Sequence, residues 1–277
     1  MRPERARVLF TGAGGGIGRI AVPTLLQAGA AVMLVGRSAV RLAPQAQALA
    51  RSHGSVRVAW HAVDLLCSDC IGALATAAAS FGANVVVHGA GVPSFGPLQS
   101  LAPGNLQRVL HTNLLAPMLL TQALLPHLRS LPRAQVLFVG SALGRLGLPG
   151  FSVYSASKFG LRGFAEALRR ELADSAVRVQ YLGPRSTRTA FNDAAVEAYN
   201  RATGTAMDDP QIVADALLRL LRDDRRAELF VGWPEKLAVR LNALAPSWLD
   251  AAFTRHRRCL PDADPARAPS STLSIAP

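Results

Sequence analysis

Lysine is almost missing from this chain. Of its 30 basic residues only Lys158 and Lys236 are lysine; the other 28 are arginine. An ammonium is a compact charge on a thin stem, whereas a guanidinium is a wide planar fork. A lysine at 158 in "VYSASKFGLRGF", one helical turn after Tyr154, therefore marks a place where the narrower cation has a use. Cysteine is also scarce. Three cysteines are too few for a disulfide framework, and Cys67-x-x-Cys70 has no second pair nearby to complete a zinc site, so no metal centre is expected. A redox dithiol is the other reading of that pair. No apolar run reaches the roughly 18–20 residues of a membrane span. The most apolar stretch, "NLLAPMLLTQALLPHL" (113–128), is broken by Asn113, Thr121, Gln122, His127 and two prolines, and reads as a buried or interface helix. The opening "MRPERARVLF" has no apolar segment followed by a small-residue cleavage site, so no secretory leader and a reduced, cytoplasmic setting are expected. Acids are few, and the formal net charge of +12 favours anionic partners. The arginines are spread over nearly every segment without an aromatic-interleaved basic block, so nucleic acid is not among the expected partners.

Short apolar runs of strand type alternate with helical patterns. The candidate strands are 7–10, 31–35, 56–63, 84–89, 134–140, 177–182 and 228–232. Near-continuous Val, Leu and Ile indicate strands covered on both faces, which means a parallel sheet. The alternation predicts a Rossmann-type, doubly wound, three-layer α/β/α sandwich of about seven parallel strands, with its ligand at the carboxyl ends of the strands. Residues 185–209 lack a clear period and read as a long connection with short helices, of the kind that covers a ligand. The Pro-, Ser- and Ala-rich 261–277 reads as a disordered tail.

"VLFTGAGGGIGRI" (8–20) places a glycine cluster between the first strand and the first helix. Gly12, Gly16 and Gly18 permit a tight turn and a close backbone approach to a pyrophosphate, with the N–H groups of the helix start facing the anion. The second strand ends "VGRS" with no Asp or Glu to bond a ribose 2′-hydroxyl; Arg37 stands there instead and suits a 2′-phosphate, which favours NADP(H) over NAD(H). Asp64 and Leu65 close the third strand, where they are placed to meet an adenine amino group and ring; taken alone, such an Asp reads as a helix cap.

A phenol of pKa near 10 is about 0.1% ionised at neutral pH, and bringing it to 7 takes about 4 kcal/mol of differential stabilisation. A cation one helical turn away acts in that direction. Ser141 ends the fifth strand, where its hydroxyl can hold a substrate oxygen beside Tyr154. Together "TGAGGGIG" (11–18), Asp64, Asn113 in "HTNLLAP", Ser141 and "YSASK" (154–158) resemble the short-chain dehydrogenase/reductase family over residues 6–232. The resemblance implies hydride transfer to or from a nicotinamide, without a metal, and a catalytic group of Asn113, Ser141, Tyr154 and Lys158. It implies further cofactor contacts from Ile17, Ala90, Tyr154, Lys158, Pro184, Thr187 and Thr189. Lys158 is then expected to bond the nicotinamide ribose, lower the tyrosine pKa and pass protons through water toward Asn113. Two departures stand out. "VHGAG" (87–91) puts His88 where the family has a structural asparagine, and "GPRSTRT" (183–189) puts Arg185 in a glycine position, which questions the loop's backbone and adds charge near the pocket.

The specificity loops, around 92–97, 143–152 and 185–209, carry Leu143, Leu146, Leu148, Phe151, Phe191 and Tyr199, a mix that suits an apolar, lipid-like or acyl substrate. Arg145, Arg185 and Arg188 are placed for an acidic group. Residues 1–232 read as the dinucleotide-binding catalytic domain and 233–260 as its helical extension. That extension (235–258) reads as a cover over the pocket or a neighbouring subunit, with peripheral membrane contact as the alternative. A small-molecule substrate and a homo-oligomer, dimer or tetramer, are the expected partners. A non-catalytic NADP(H)-binding sensor or scaffold and a membrane-peripheral interaction protein are the rival readings. Against the sensor stands the activated phenol, which a pure binder does not need.

Overall fold

Seven apolar runs form seven strands, all parallel, in the order β3-β2-β1-β4-β5-β6-β7. The computed structural model describes residues 1–232, 242, 250 and 253–261. Strands β1 (Arg7–Thr11), β2 (Ala31–Gly36), β4 (Val85–His88), β5 (Ala134–Val139) and β6 (Val177–Gly183) are buried along almost their whole length. The edges β3 (Val58–Ala62) and β7 (Glu228–Phe230) are only partly covered. Val56 and Arg57, expected in the third strand, instead form a 3-10 turn leading into it. The chain runs outward from β1 to β3, then crosses back to β4 beside β1. That reversal opens a crevice at the carboxyl ends of β1 and β4.

Successive strand residues face opposite sides of the sheet, so each face has its own core. Val8, Phe10, Val32 and Leu34 pack against α1 (Gly18–Gln27), α2 (Ala39–His53) and α8 (Pro210–Arg222). Leu9, Met33, Val86 and Phe138 pack against α3 (Ser68–Ser80), α5 (Ala116–Ser130) and α6 (Ser152–Glu171). Helix α4 (Pro103–Leu110) runs through a π-helical turn, His111–Leu115, into α5. The connection after β6 contains α7 (Ala194–Thr203), capped by the Asp193 carboxylate on the Val196 N–H. Its two ends are pinched together: Thr187 bridges Asp208, Arg188 N–H donates to the Asp208 carbonyl, and Asp208 N–H donates to that of Ser186. Of the 233–277 region, Asn242, Asp250, a short helix Thr254–Arg258 and its flanks are described. The rest of the 235–258 extension, with its apolar Leu237, Leu241, Leu244, Trp248 and Leu249, and the tail from 262 on, lie outside the described residues.

His88 shows how the first departure is accommodated. The ring is buried, stacks on Phe138 at 4.8 Å and meets Thr121 Oγ1 at 2.9 Å through Nε2. Thr121 spends its own hydroxyl proton on the Pro117 carbonyl, so Nε2 is the donor. Burial pushes the His88 pKa down to about 3. In the unfolded chain it binds a proton near pH 6.5, so stability is complete above that pH and is lost progressively as pH falls toward 3. We expect His88→Asn to flatten the fall in Tm between those two pH values. An unchanged Tm–pH curve would show that the imidazole is not held neutral by the fold.

Candidate active site

The first strand delivers the glycine loop to the crevice. Gly12 has φ +74°, and a methyl there would lie 2.7 Å from the backbone of Gly89 and Ala90. Only glycine allows both that turn and that approach of the β1 and β4 ends. The Thr11 hydroxyl fastens the two ends, accepting from the Gly89 and Ala90 N–H groups at 3.1 and 3.2 Å. A cavity of about 440 Å³ opens above. Gly12, Gly16, Ile17 and Gly18 line one end and Ala90 the floor beside them. Pro184, Thr187 and Thr189 overhang it from the loop after β6. Ser141, Tyr154 and Lys158 meet in its middle. Arg37, Asp64 and Leu65 sit beyond the cavity, at the ends of β2 and β3: Arg37 and Asp64 are exposed and Leu65 is buried. Asp64 Oδ1 accepts from the Leu66 N–H at 3.0 Å, so its carboxylate also caps the turn before α3.

Tyr154 and Lys158 stand one turn apart on α6, and Ser141 projects from the end of β5. The Ser141 hydroxyl and the Tyr154 phenol line the same cavity. Burial pushes the Tyr154 phenol up to about 12, and Ser141 acts in the opposite direction. Lys158 is buried, and the same desolvation pushes it down to about 8. Its ammonium donates to the Val139 carbonyl at 3.2 Å and lies 5.7 Å from the Tyr154 ring centre. In the chain without cofactor, burial is the largest influence on the phenol, and the lysine's amine is spent on the Val139 carbonyl. Asn113, fully buried in the π-helical turn, accepts from the Val92 N–H at 2.8 Å and donates to the Val92 carbonyl and Ser157 Oγ. Only Gly91 separates it from the lysine: a methyl there would lie 3.4 Å from Asn113 Oδ1 and 3.8 Å from Lys158 Nζ. A π-bulge is a frequent device for turning one side chain into a site.

The site arginines are already paired. Arg185 forms an ion pair with buried Asp208 at 2.6 Å, and Arg145 with Glu228 at 2.8 Å. Among the described residues no non-glycine has positive φ, so Arg185 takes its glycine position without strain. Its pair with Asp208 ties the two ends of the loop 185–209 together while the residue also lines the cavity, and of the three arginines expected to meet an acidic group only exposed Arg188 is left without such a pair among the described residues.

One contributor was missed from sequence. Tyr181, on β6, accepts from the Ser141 N–H and donates to the Ser141 carbonyl, both at 3.0 Å. Its buried ring occupies the space that side chains at Gly140 and Gly144 would fill. The signal was the two glycines flanking Ser141, which leave a hole that only a distant large residue can fill. Phe253 and His256 line the far end of the cavity, and His256 Nδ1 meets the Tyr199 hydroxyl at 3.0 Å. Phe95, Phe151 and Tyr199 cluster beside them.

A parallel sheet with a strand–glycine loop–helix start and a Ser–Tyr–Lys group at its carboxyl edge defines a nucleotide-binding oxidoreductase fold. The sequence model described as short chain dehydrogenase matches residues 6–200. Dehydrogenase/reductase SDR family member 7B of Bos taurus is 32% identical over 257 residues, covering 88% of this chain and 78% of that protein. A putative short chain dehydrogenase from Shigella flexneri, solved with NADP, is 30% identical with TM-score 0.72, covering 82% and 96% of the two chains. A short chain dehydrogenase/reductase from Burkholderia phymatum, solved with NAD, shares the fold at TM-score 0.79 with 20% identity, covering 90% and 96%. The chain belongs to the short-chain dehydrogenase/reductase family, oxidoreductases acting on CH–OH and C=O groups.

Tyr181→Phe strips the Ser141 N–H and carbonyl of their shared buried partner, and we expect it to cost about 1–3 kcal/mol in urea unfolding. Gly140→Ala should be severely destabilising alone and much less so with Tyr181→Ala. Additive costs in that cycle would contradict the packing of the ring on Gly140.

Proposed function

We propose that this chain is an NADP(H)-dependent oxidoreductase interconverting a carbonyl and a secondary alcohol on an apolar, lipid-like or acyl substrate. The observation that carries the reading is that Ser141, Tyr154 and the buried Lys158 line one cavity with the glycine loop. The residues present fit a dinucleotide. Gly12, Gly15, Gly16 and Gly18 line the cavity with backbone alone and lead to the N-terminus of α1. At the β2–α2 junction Arg37 and Arg41 are exposed and Ser38 begins the helix, with no carboxylate in "GRSAVR" (36–41). That chemistry suits a 2′-phosphate and supports NADP(H).

Bound, the nicotinamide supplies or accepts the hydride and carries a positive charge when oxidised. In reduction, Ser141 and Tyr154 hold the carbonyl oxygen and Tyr154 gives it the proton. A phenol pushed up to about 12 keeps that proton across the neutral range, as a general acid must. Lys158 takes the ribose hydroxyls, and Asn113 fixes the turn behind it. Asp64 and Leu65 receive the adenine. Because Arg145 and Arg185 are paired, the substrate end is governed by Leu146, Leu148, Phe151, Phe191, Val196 and Phe253, which supports an apolar substrate. Residues 1–232 form the catalytic domain in this reading, with 233–260 as an extension whose Phe253 and His256 complete the pocket. Exposed Leu110, Leu115 and Phe159 around α4–α6 support a homo-oligomer. Among the described residues no helix is long and apolar enough to cross a membrane. A cytoplasmic location is part of the proposal.

A panel of ketones and secondary alcohols with each nicotinamide tests this. Tyr154→Phe should abolish turnover while NADPH still binds, and unchanged turnover would remove Tyr154 as the acid. Arg37→Asp should shift preference from NADPH toward NADH by about 10- to 100-fold, the worth of a charge-assisted contact. An unmoved ratio would sink the 2′-phosphate assignment. Binding of NADP(H) with no turnover on any substrate by the native chain would favour the sensor reading.

A further inference from the structure

Cys67 and Cys70 are joined in a disulfide. Cys67 is the N-cap of the 13-residue helix α3 and Cys70 lies in its first turn, and both are half-buried at the surface. The bridge closes on the turn that ends the third strand. Cys67 N–H donates to the Asp64 carbonyl at 3.1 Å, Asp64 Oδ1 accepts from Leu66 N–H, and Cys70 N–H donates to the Cys67 carbonyl. Leu65 and Cys70 pack into the same core. The Val63 N–H donates to the Gly36 carbonyl, one residue before Arg37, so the turn is tied to the end of β2 as well. The staple thus fixes the segment carrying Asp64 and Leu65, the proposed adenine contacts. None of the chemistry in the cavity uses it.

We propose that Cys67–Cys70 is a reversible thiol–disulfide site, served by low-molecular-weight thiols and disulfides, whose closed form holds the adenine end of the nucleotide site in its binding shape. In oxidation the Cys67 thiolate attacks one sulfur of a disulfide R–S–S–R and expels one thiolate. The Cys70 thiolate then attacks Cys67 Sγ in the mixed disulfide and expels the second. The two cysteines lose two electrons and two protons, and R–S–S–R becomes two R–SH. Opening the bridge releases α3's first turn from Cys67 and gives the Asp64–Leu65 turn freedom that cofactor binding must then remove. Coupling of this kind is reciprocal: if closure tightens the cofactor, the cofactor resists opening by the same factor. This half of the proposal rests on the nucleotide reading above.

The test equilibrates the full chain with reduced and oxidised dithiothreitol, and separately with reduced and oxidised glutathione, at graded ratios with and without NADPH. Free thiols are then alkylated and counted by intact mass. The count runs from one, Cys259, when closed to three when open. We expect NADPH to raise the reductant-to-oxidant ratio needed for half-opening about tenfold, equivalent to about 30 mV for this two-electron couple. NADPH affinity, read by its fluorescence, should be about tenfold higher in the closed form, and Cys67→Ser/Cys70→Ser should bind like the open form at every ratio. Response to one couple alone would identify which thiol class reaches the site. Three alkylated thiols under the most oxidising mixture overturn the site itself. Equal affinity in the two states overturns the coupling. No NADPH binding by either form, with the thiol count still changing, overturns the nucleotide reading and the coupling together while the exchange chemistry stands.

Discussion

Everything at this site hangs on where the Ser141 hydroxyl stands relative to the Tyr154 phenol. That placement joins two elements with no local relation, the end of β5 and the first turn of α6. It is held from outside. Tyr181 grips the Ser141 backbone by both of its polar groups, in a space kept open by Gly140 and Gly144. On the other side the Ser141 Oγ accepts from the Leu143 N–H, which starts the turn leading toward α6. A hydroxyl with its backbone fixed in this way needs little reorganisation when it receives a substrate oxygen, and positioning of that kind is a large part of catalysis.

The scarcity of lysine acquires a physical sense in this setting. Lys158 is 3% exposed, with Val139, Gly91 and Asn113 around its amine. A guanidinium is wider and must satisfy five donors. The arginines of this strongly basic chain are dealt with differently: at the site, Arg145 and Arg185 are neutralised by Glu228 and Asp208, and the pairs fasten the loops that frame the cavity. The net charge of +12 is thus a property of the surface more than of the pocket.

The fold was legible because strands buried on both faces must be apolar at nearly every position, as "RVLF", "NVVVH" and "AQVLFV" are. The glycine loop and the Tyr–Lys spacing were legible because both are local: one needs positive φ at Gly12, the other one turn of helix. What escaped was set by residues far apart in the chain. Tyr181 reads as an ordinary strand tyrosine until its ring is seen over Gly140. Arg185 reads as added charge until Asp208, 23 residues on, is seen beneath it. The cavity lining at Phe253 and His256, by contrast, comes from the 235–258 extension that the sequence reads as a cover over the pocket. Spacing also does not say which carbonyl holds the Lys158 amine; here it is that of Val139.

In the chain alone Tyr154 holds its proton; the proposed mechanism needs a positive nicotinamide beside Lys158 to bring that proton toward the neutral range. The chain has three tyrosines, Tyr154, Tyr181 and Tyr199, so carbon-13 labelling of the phenol carbon followed by NMR titration resolves each one. With the protein alone all three should stay protonated past pH 10, as burial raises each of them. With saturating NADP⁺ the Tyr154 resonance should move its midpoint down by several pH units, and Lys158→Met should abolish most of that movement. A Tyr154 midpoint indifferent to NADP⁺, or one that falls equally without the lysine, would contradict the account.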